Sequence, residues 1–226
     1  MHRKKRTLLL SVCLVFISSV QVMPQDIRFS LSADPLVSWF SSDTRETVNS
    51  GARPGISFGL QVDRYFSANY AFSTGIFLVN ASGRVYYSDT IDLEFKNSIM
   101  ELYAGEEITY KIQYLTIPLG LKLNTNQIGY ITLFTNVGLD PKIVIGGKAD
   151  IPYASIEDEN ITEELKLFNL GYHIAGGVEY SLGGTTALVF GLGYENNFLD
   201  VTKDKDGQPN DRIRHNILRF KLGVNF

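Results

Sequence analysis

The sequence is poor in cysteine, tryptophan and proline, with one Cys, one Trp and seven Pro in 226 residues. The single cysteine, Cys13, sits inside an apolar run near the N-terminus. With that run removed the chain has no thiol, which excludes both a disulfide framework and a thiolate metal site. Three histidines, one of them His2, are too few for a His-rich metal centre. A basic excess is also missing: the formal charge is −3, which argues against nucleic acid as a partner. From Asp26 onward no stretch shows a convincing 3.6-residue apolar period, so helices are not expected to build this domain.

What is present is glycine, at 20 residues, and aromatics, with 14 Phe and 12 Tyr. A Gly- and aromatic-rich chain without helical periodicity points to an all-β protein, and the length fits one domain. The N-terminus reads MHRKKRTLLLSVCLVFISSVQVMPQ, with Arg3, Lys4, Lys5 and Arg6 ahead of an apolar run from about Leu8 to Val20. That run is too short for a spanning helix and has the layout of a secretory signal over residues 1–25, cleaved between Val20 and Asp26. Val12 before Cys13 does not make a lipoprotein cleavage point. The remaining domain, 26–226, carries 17 Lys+Arg against 24 Asp+Glu, or −7 with His neutral.

Period 2 recurs throughout this domain. Ile56, Phe58, Leu60 and Val62 alternate with Ser57, Gly59, Gln61 and Asp63, and Leu188, Phe190, Leu192 and Tyr194 alternate with Val189, Gly191, Gly193 and Glu195. The C-terminal LRFKLGVNF sets Leu218, Phe220, Leu222, Val224 and Phe226 against Arg219, Lys221, Gly223 and Asn225. Each is a strand with one apolar face and one small, polar or charged face. Eight such strands are expected, at about 27–40, 54–66, 70–87, 109–123, 129–147, 167–182, 186–199 and 213–226.

The connections alternate. Ser67–Asn69, Asn124–Ile128 and Gly183–Thr185 are tight, whereas Ser41–Arg53, Ser88–Ile108, Lys148–Lys166 and Val201–Arg212 are long and polar. This is the signature of an eight-stranded antiparallel up-and-down transmembrane β-barrel, with both termini on the short-turn, periplasmic side and four long extracellular loops. A soluble lipocalin-like barrel that binds lipid would share the alternation but turn its apolar face inward. Aromatics near strand ends favour the membrane reading as interface girdles: Tyr65, Phe66, Tyr70, Tyr130, Tyr180 and Phe226 at the short turns, and Trp39, Phe40, Tyr86, Tyr87, Tyr110, Phe168 and Phe198 at the long loops.

Two stretches carry a resemblance. A final strand ending in Phe226 is similar to the terminal signal read by the outer-membrane assembly machinery of Gram-negative bacteria. Ile112–Leu123, IQYLTIPLGLKL, resembles the "YL-x-IP-L-LK" strand of the PorT-like outer-membrane β-barrel family. The resemblance implies a barrel in the bacterial outer membrane, with membrane lipid and the assembly machinery as partners, and as one reading an accessory place in a secretion or envelope complex. The family includes a component tied to type IX secretion, a role not carried over here. Pro118, inside that strand, requires a bulge or a skipped hydrogen bond.

By parity Asp63, Lys122, His173, Glu179, Glu195, His215, Arg219 and Lys221 face the lumen. Eight strands leave an interior just wide enough for side chains, so these residues are expected to form a salt-bridged filling in place of a hydrophobic core rather than an ion path. His173 and His215 with Glu179 or Glu195 invite comparison with a lipid-modifying outer-membrane barrel enzyme, but no spacing singles out a nucleophilic serine; no catalytic, cofactor-binding or metal residue is assigned. Asp200–Asp211 resembles a calcium loop, with Asp204 and Asp206 at its third and fifth positions and Gly207 at its sixth. Its first position is Thr202 and its twelfth Ile213, so two acidic ligands are missing. The acidic run Ala154–Leu165 is expected to form a solvated cap of one or two helical turns, with Asn160-Ile161-Thr162 a sequon of little meaning in a bacterium. The function expected is that of a non-enzymatic barrel, structural or partner-binding through its loops.

Overall fold

In the computed structural model the described residues are 26–44, 46–94, 99–203 and 212–226. The leader expected over residues 1–25 lies outside them, as do Asp204, Asp206 and Gly207 of the candidate calcium loop. The strands are β1 (Ile27–Ser42), β2 (Thr47–Ser67), β3 (Tyr70–Tyr87), β4 (Ile91–Glu94), β5 (Ile99–Leu102), β6 (Glu107–Thr116), β7 (Leu119–Asn124), β8 (Ile131–Ile151), β9 (Ile156–Asn160), β10 (Phe168–Gly183), β11 (Thr186–Asn197) and β12 (Ile213–Asn225).

The hydrogen-bonded order runs β10-β11-β12-β1-β2-β3, then β3 to both β6 and β7, both of these to β8, and β8 back to β10. The sheet is therefore closed, every neighbour is antiparallel, and β6 and β7 are two halves of one wall strand. Closure removes the exposed strand edges that could not survive in lipid. The wall thus has eight strands; the β4–β5 hairpin and β9 are additions at the long-connection end. The seam is β1 against β12, where the Phe29 amide donates to the Phe226 carbonyl at 3.1 Å and the Phe226 amide returns a bond at 2.9 Å. Their rings stack outside the wall, 6.2 Å apart.

The outer faces are apolar for most of their length. Leu31, Phe58, Leu60, Phe72, Ile76, Leu119, Leu133, Ile174, Phe190, Leu192 and Phe220 are all exposed. A soluble lipid carrier would have to hold these groups inside, so the lipocalin-like alternative is overturned. Their exposure is a mismatch with water and a match with lipid.

Three details correct the sequence reading. Pro118, with no amide hydrogen, interrupts the wall between Thr116 and Leu119, so the fourth strand comes in two pieces; the Ile117 amide still reaches the Pro141 carbonyl at 3.0 Å. The first three long connections contain strand as well as loop: β1 and β2 extend to Ser42 and from Thr47, the second connection includes β4 and β5, and the acidic run forms β9 between the 3-10 turns Pro152–Ala154 and Thr162–Glu164. Polar residues there read as loop because nothing in their pattern shows that the wall continues above the lipid. Finally Tyr65, Phe40, Tyr87 and Tyr110 point inward and are buried, so they are not girdle residues; position near a strand end says nothing about face, which parity alone decides.

The interior also departs from expectation, because it has two tiers. At the short-turn half it is polar and ionic. At the long-connection half Leu36, Phe40, Val85, Tyr110, Ile112, Ile213 and Ile217 pack with Leu93 and Leu102 of the added hairpin into an apolar core. A salt-bridged filling therefore replaces the hydrophobic core only in the lower tier. The upper strands rise beyond the lipid band, where ordinary burial of apolar area is the available stabilisation.

Candidate functional site

The lower tier brings inward side chains from every wall strand to one axis. Lys122 of β7 places Nζ 2.6 Å from Asp63 Oδ2 of β2 and 2.6 Å from Glu179 Oε1 of β10. The bond to Asp63 is a well-aligned hydrogen bond, whereas the Glu179 contact is an ion pair off that axis. Asp63 Oδ1 also accepts from Gln61 Nε2 at 2.8 Å and from Ser73 Oγ at 2.7 Å. Above this group Glu195 of β11 takes Arg219 Nη2 at 2.9 Å and pairs closely with Lys142 of β8. Lys142 also donates to Asn197 Oδ1 at 2.7 Å. Lys221 donates to Gln61 Oε1 at 3.2 Å and lies over the Phe134 ring at 5.9 Å.

His173 occupies the middle. Its Nδ1 is 2.9 Å from Asp140 Oδ1 and its Nε2 is 3.0 Å from Asn136 Oδ1. Because Ser73 gives its proton to Asp63, its oxygen must accept from Asn136 Nδ2, at 3.1 Å. That leaves the Asn136 carbonyl oxygen facing the ring, so His173 is held between an oxygen of Asp140 and an oxygen of Asn136. Five carboxylates (Asp34, Asp63, Asp140, Glu179, Glu195) thus share the tier with Lys122, Lys142, Arg219, Lys221 and the His173 ring. His215 is elsewhere, fully buried under the upper core, with Nδ1 3.0 Å from Tyr114 OH and its ring 4.5 Å from that of Phe40.

All eight residues singled out by parity thus lie inside the wall, seven in the ionic tier and His215 in the apolar one. Asp34, Asp140 and Lys142 were missed. Asp34 and Asp140 each precede a proline, Pro35 and Pro141, within a wall strand, and that repeated Asp-Pro pair was the available signal. Asp34 Oδ1 accepts the Leu222 amide at 3.0 Å, so the carboxylate serves the β1–β12 ladder beside a proline.

Glycine makes room for the ring. A Cβ on Gly138 would stand 2.4 Å from the Leu119 carbonyl oxygen and 2.8 Å from His173 Cε1. Backbone cannot yield as a side chain can, so Gly138→Ala is expected to lower stability by about 1–3 kcal/mol, read as a shift in the urea midpoint of the vesicle-embedded protein. The remaining space beside Asp140, His173 and Arg219 leaves about 40 Å³ for the centres of water molecules, room for a few waters and not for a pore.

The family can be read from the sequence once this frame is known. Residues 24–203 match the model of the outer membrane protein beta-barrel domain. The chain belongs to that family. It is accordingly a protein of the outer membrane, and the exposed aliphatic band is its lipid face. No curated protein matches this family member in sequence. Solved structures similar to it include neisserial surface protein A, at 12% identity and TM-score 0.48, covering 87% of this chain and 95% of that one. OprG of Pseudomonas aeruginosa follows at 13% identity and TM-score 0.42, covering 88% and 94%, and Ail of Yersinia pestis at 13% and 0.40, covering 89% and 99%.

Outside the lipid band this outer-membrane barrel carries a second charged group. On β6, Lys111 Nζ lies 2.5 Å from Asp150 Oδ2 and 3.1 Å from Asp158 Oδ1, and Lys148 Nζ lies 3.6 Å from Asp158 Oδ2. The hydrogen bond from Lys111, with the positive charge of both lysines, holds the Asp158 carboxyl below the usual carboxylate range. A depressed folded value stabilises above the unfolded value and is lost as pH falls through the folded one. The Asp158 carboxyl resonance is therefore expected to titrate below an ordinary aspartate, and to return toward the ordinary value in Lys111→Met.

Proposed function

We propose that this chain is a non-enzymatic outer-membrane barrel of PorT-like type, structural or partner-binding through its long-connection end, with a place as accessory to a secretion or envelope complex. One observation carries this reading: the lumen is filled, ionic below and apolar above, so the wall offers a rigid scaffold and no path. In this account Asp63, Lys122, His173, Glu179, Glu195, Arg219 and Lys221 are structural, an ion-paired packing with His215 above it. Residues 1–25 serve as a leader cleaved between about 20 and 26, the termini are periplasmic, and Phe226 is the assembly signal. The loops then face outward, where surface segments on a rigid frame are suited to recognition.

The enzyme alternative draws no support from the two barrel histidines. His173 spends both nitrogens on Asp140 and Asn136, and the hydrogen bond made by His215 goes to Tyr114. A photo-crosslinking residue at Tyr153, which is 59% exposed at that end, tests the reading on intact cells. Crosslinks to one envelope protein, or envelope fragility on loss of the chain without crosslinks, support it. Deacylation or acyl transfer on outer-membrane lipid by the purified protein, abolished in His173→Ala, would overturn it.

A further inference from the structure

Just above the lipid band, the outer wall at β3, β6 and β8 is concave. A groove of about 310 Å³ is lined by Asn80, Ser82, Lys111, Gln113, Gly146 and Lys148. It is opened by a register shift: Gln113 pairs with Gly146 but Tyr114 with Val144, so β8 carries one extra residue there. Directly below lie Leu78, Ile143 and Ile145, each more than 40% exposed on the lipid face. A groove carrying two lysines, paired at its rim with Asp150 and Asp158, and two side-chain amides over an aliphatic strip is complementary to an amphiphile whose anionic, hydroxyl-bearing head can take the lysines in place of Asp158.

We propose that this groove binds the phosphorylated sugar headgroup of an outer-leaflet glycolipid of the lipid A class. Its acyl chains lie along Leu78, Ile143 and Ile145, its phosphate sits between Lys111 and Lys148, and the Asn80 and Gln113 amides take its sugar. The inference rests on the reading that the long-connection end faces outward.

Asp158 supports the assignment. Its carboxylate bridges the two lysines from outside, at 3.1 Å and 3.6 Å, in the place a phosphate would take. It does so from a residue with φ of 55°, a left-handed conformation uncommon for a side chain other than glycine. Asp158 thus holds the lysines across the groove mouth and gives way to a doubly charged competitor.

The test uses the full-length protein, processed by its host, in nanodiscs of zwitterionic lipid. It is titrated with bis-phosphorylated lipid A, dephosphorylated lipid A, phosphatidylglycerol and inorganic phosphate, and binding is read by native mass spectrometry. Bis-phosphorylated lipid A is expected to bind at least about ten-fold more tightly than each of the others. Lys148→Glu should weaken it by about ten-fold, and Asp158→Asn should tighten it by roughly two- to five-fold. Gly146→Phe should abolish it. A Cβ there meets only Gln113, at 3.6 and 3.8 Å, so the variant fills the groove without straining the wall, and its heat-shifted mobility on gels verifies folding.

Equal binding of dephosphorylated lipid A or phosphatidylglycerol, saturation by inorganic phosphate alone, or unchanged binding in folded Gly146→Phe would overturn the proposal. An epitope inserted in the turn Pro152–Ala154 separates the two readings on intact cells. Display with no lipid A binding sinks this inference alone; an epitope shielded until the membrane is opened sinks the orientation and both readings with it.

Discussion

Lys122→Met is expected to lower the stability of the barrel by about 3–5 kcal/mol, because it leaves two buried carboxylates facing each other with no cation between them. Asp63, Lys122 and Glu179 are each less than 5% exposed, so solvent cannot screen the repulsion. The loss is read as a fall in the urea midpoint of the vesicle-embedded protein and in the temperature at which gel mobility shifts. Most of the effect is the cost of an uncompensated charge, not the worth of the pair. Hence Asp63→Asn and Glu179→Gln added to Lys122→Met should recover much of the loss. If Lys122→Met alone changes the midpoint by less than about 1 kcal/mol, the network is not a structural element.

The second large effect is expected in the other tier. Phe40 is 1% exposed, meets Tyr110 edge-on at 5.9 Å and lies against the His215 ring at 4.5 Å. Phe40→Ala removes a full aromatic volume from a packed core held on all sides by wall strands that cannot collapse inward. A loss of about 3–5 kcal/mol follows. The same measurement applies, with a distinguishing feature: the effect should be insensitive to salt, since no charge is involved, and should persist when Asp63, Lys122 and Glu179 are all neutralised. Strong coupling between the two sets of substitutions would mean that the tiers are not independent.

The architecture was legible because a strand writes its two faces in alternate residues, and eight such segments with alternating short and long connections admit few closures. Parity also assigns a face to each residue, which is why Asp63, Glu179 and Arg219 could be grouped before any coordinates. What alternation cannot carry is pairing. Nothing in the sequence says that Lys122 sits between Asp63 and Glu179, or that Glu195 takes Lys142 as well as Arg219 of the next strand, because the contacts of Lys122 and Lys142 join strands that are not consecutive in the chain. Proline was read at Pro118, where the interruption between β6 and β7 falls, but not at Asp34-Pro35 and Asp140-Pro141, where it stands beside inward carboxylates. The apolar upper tier was hidden for a further reason. Phe40, Tyr87 and Tyr110 read as girdle aromatics from their place near strand ends, and the wall's rise beyond the lipid, which makes an inward aromatic useful there, leaves no local trace.

The central claim is that the lumen is filled from end to end, and single-channel recording tests it directly. Full-length protein purified from outer membranes and reconstituted in a planar bilayer is expected to give no steady conductance at neutral pH. Gel mobility that shifts on heating would confirm that it is folded. Large, stable, voltage-independent openings from folded protein would contradict the account, because they require a continuous wet path through both the ionic tier around Lys122 and Glu195 and the apolar core around Phe40 and Ile217.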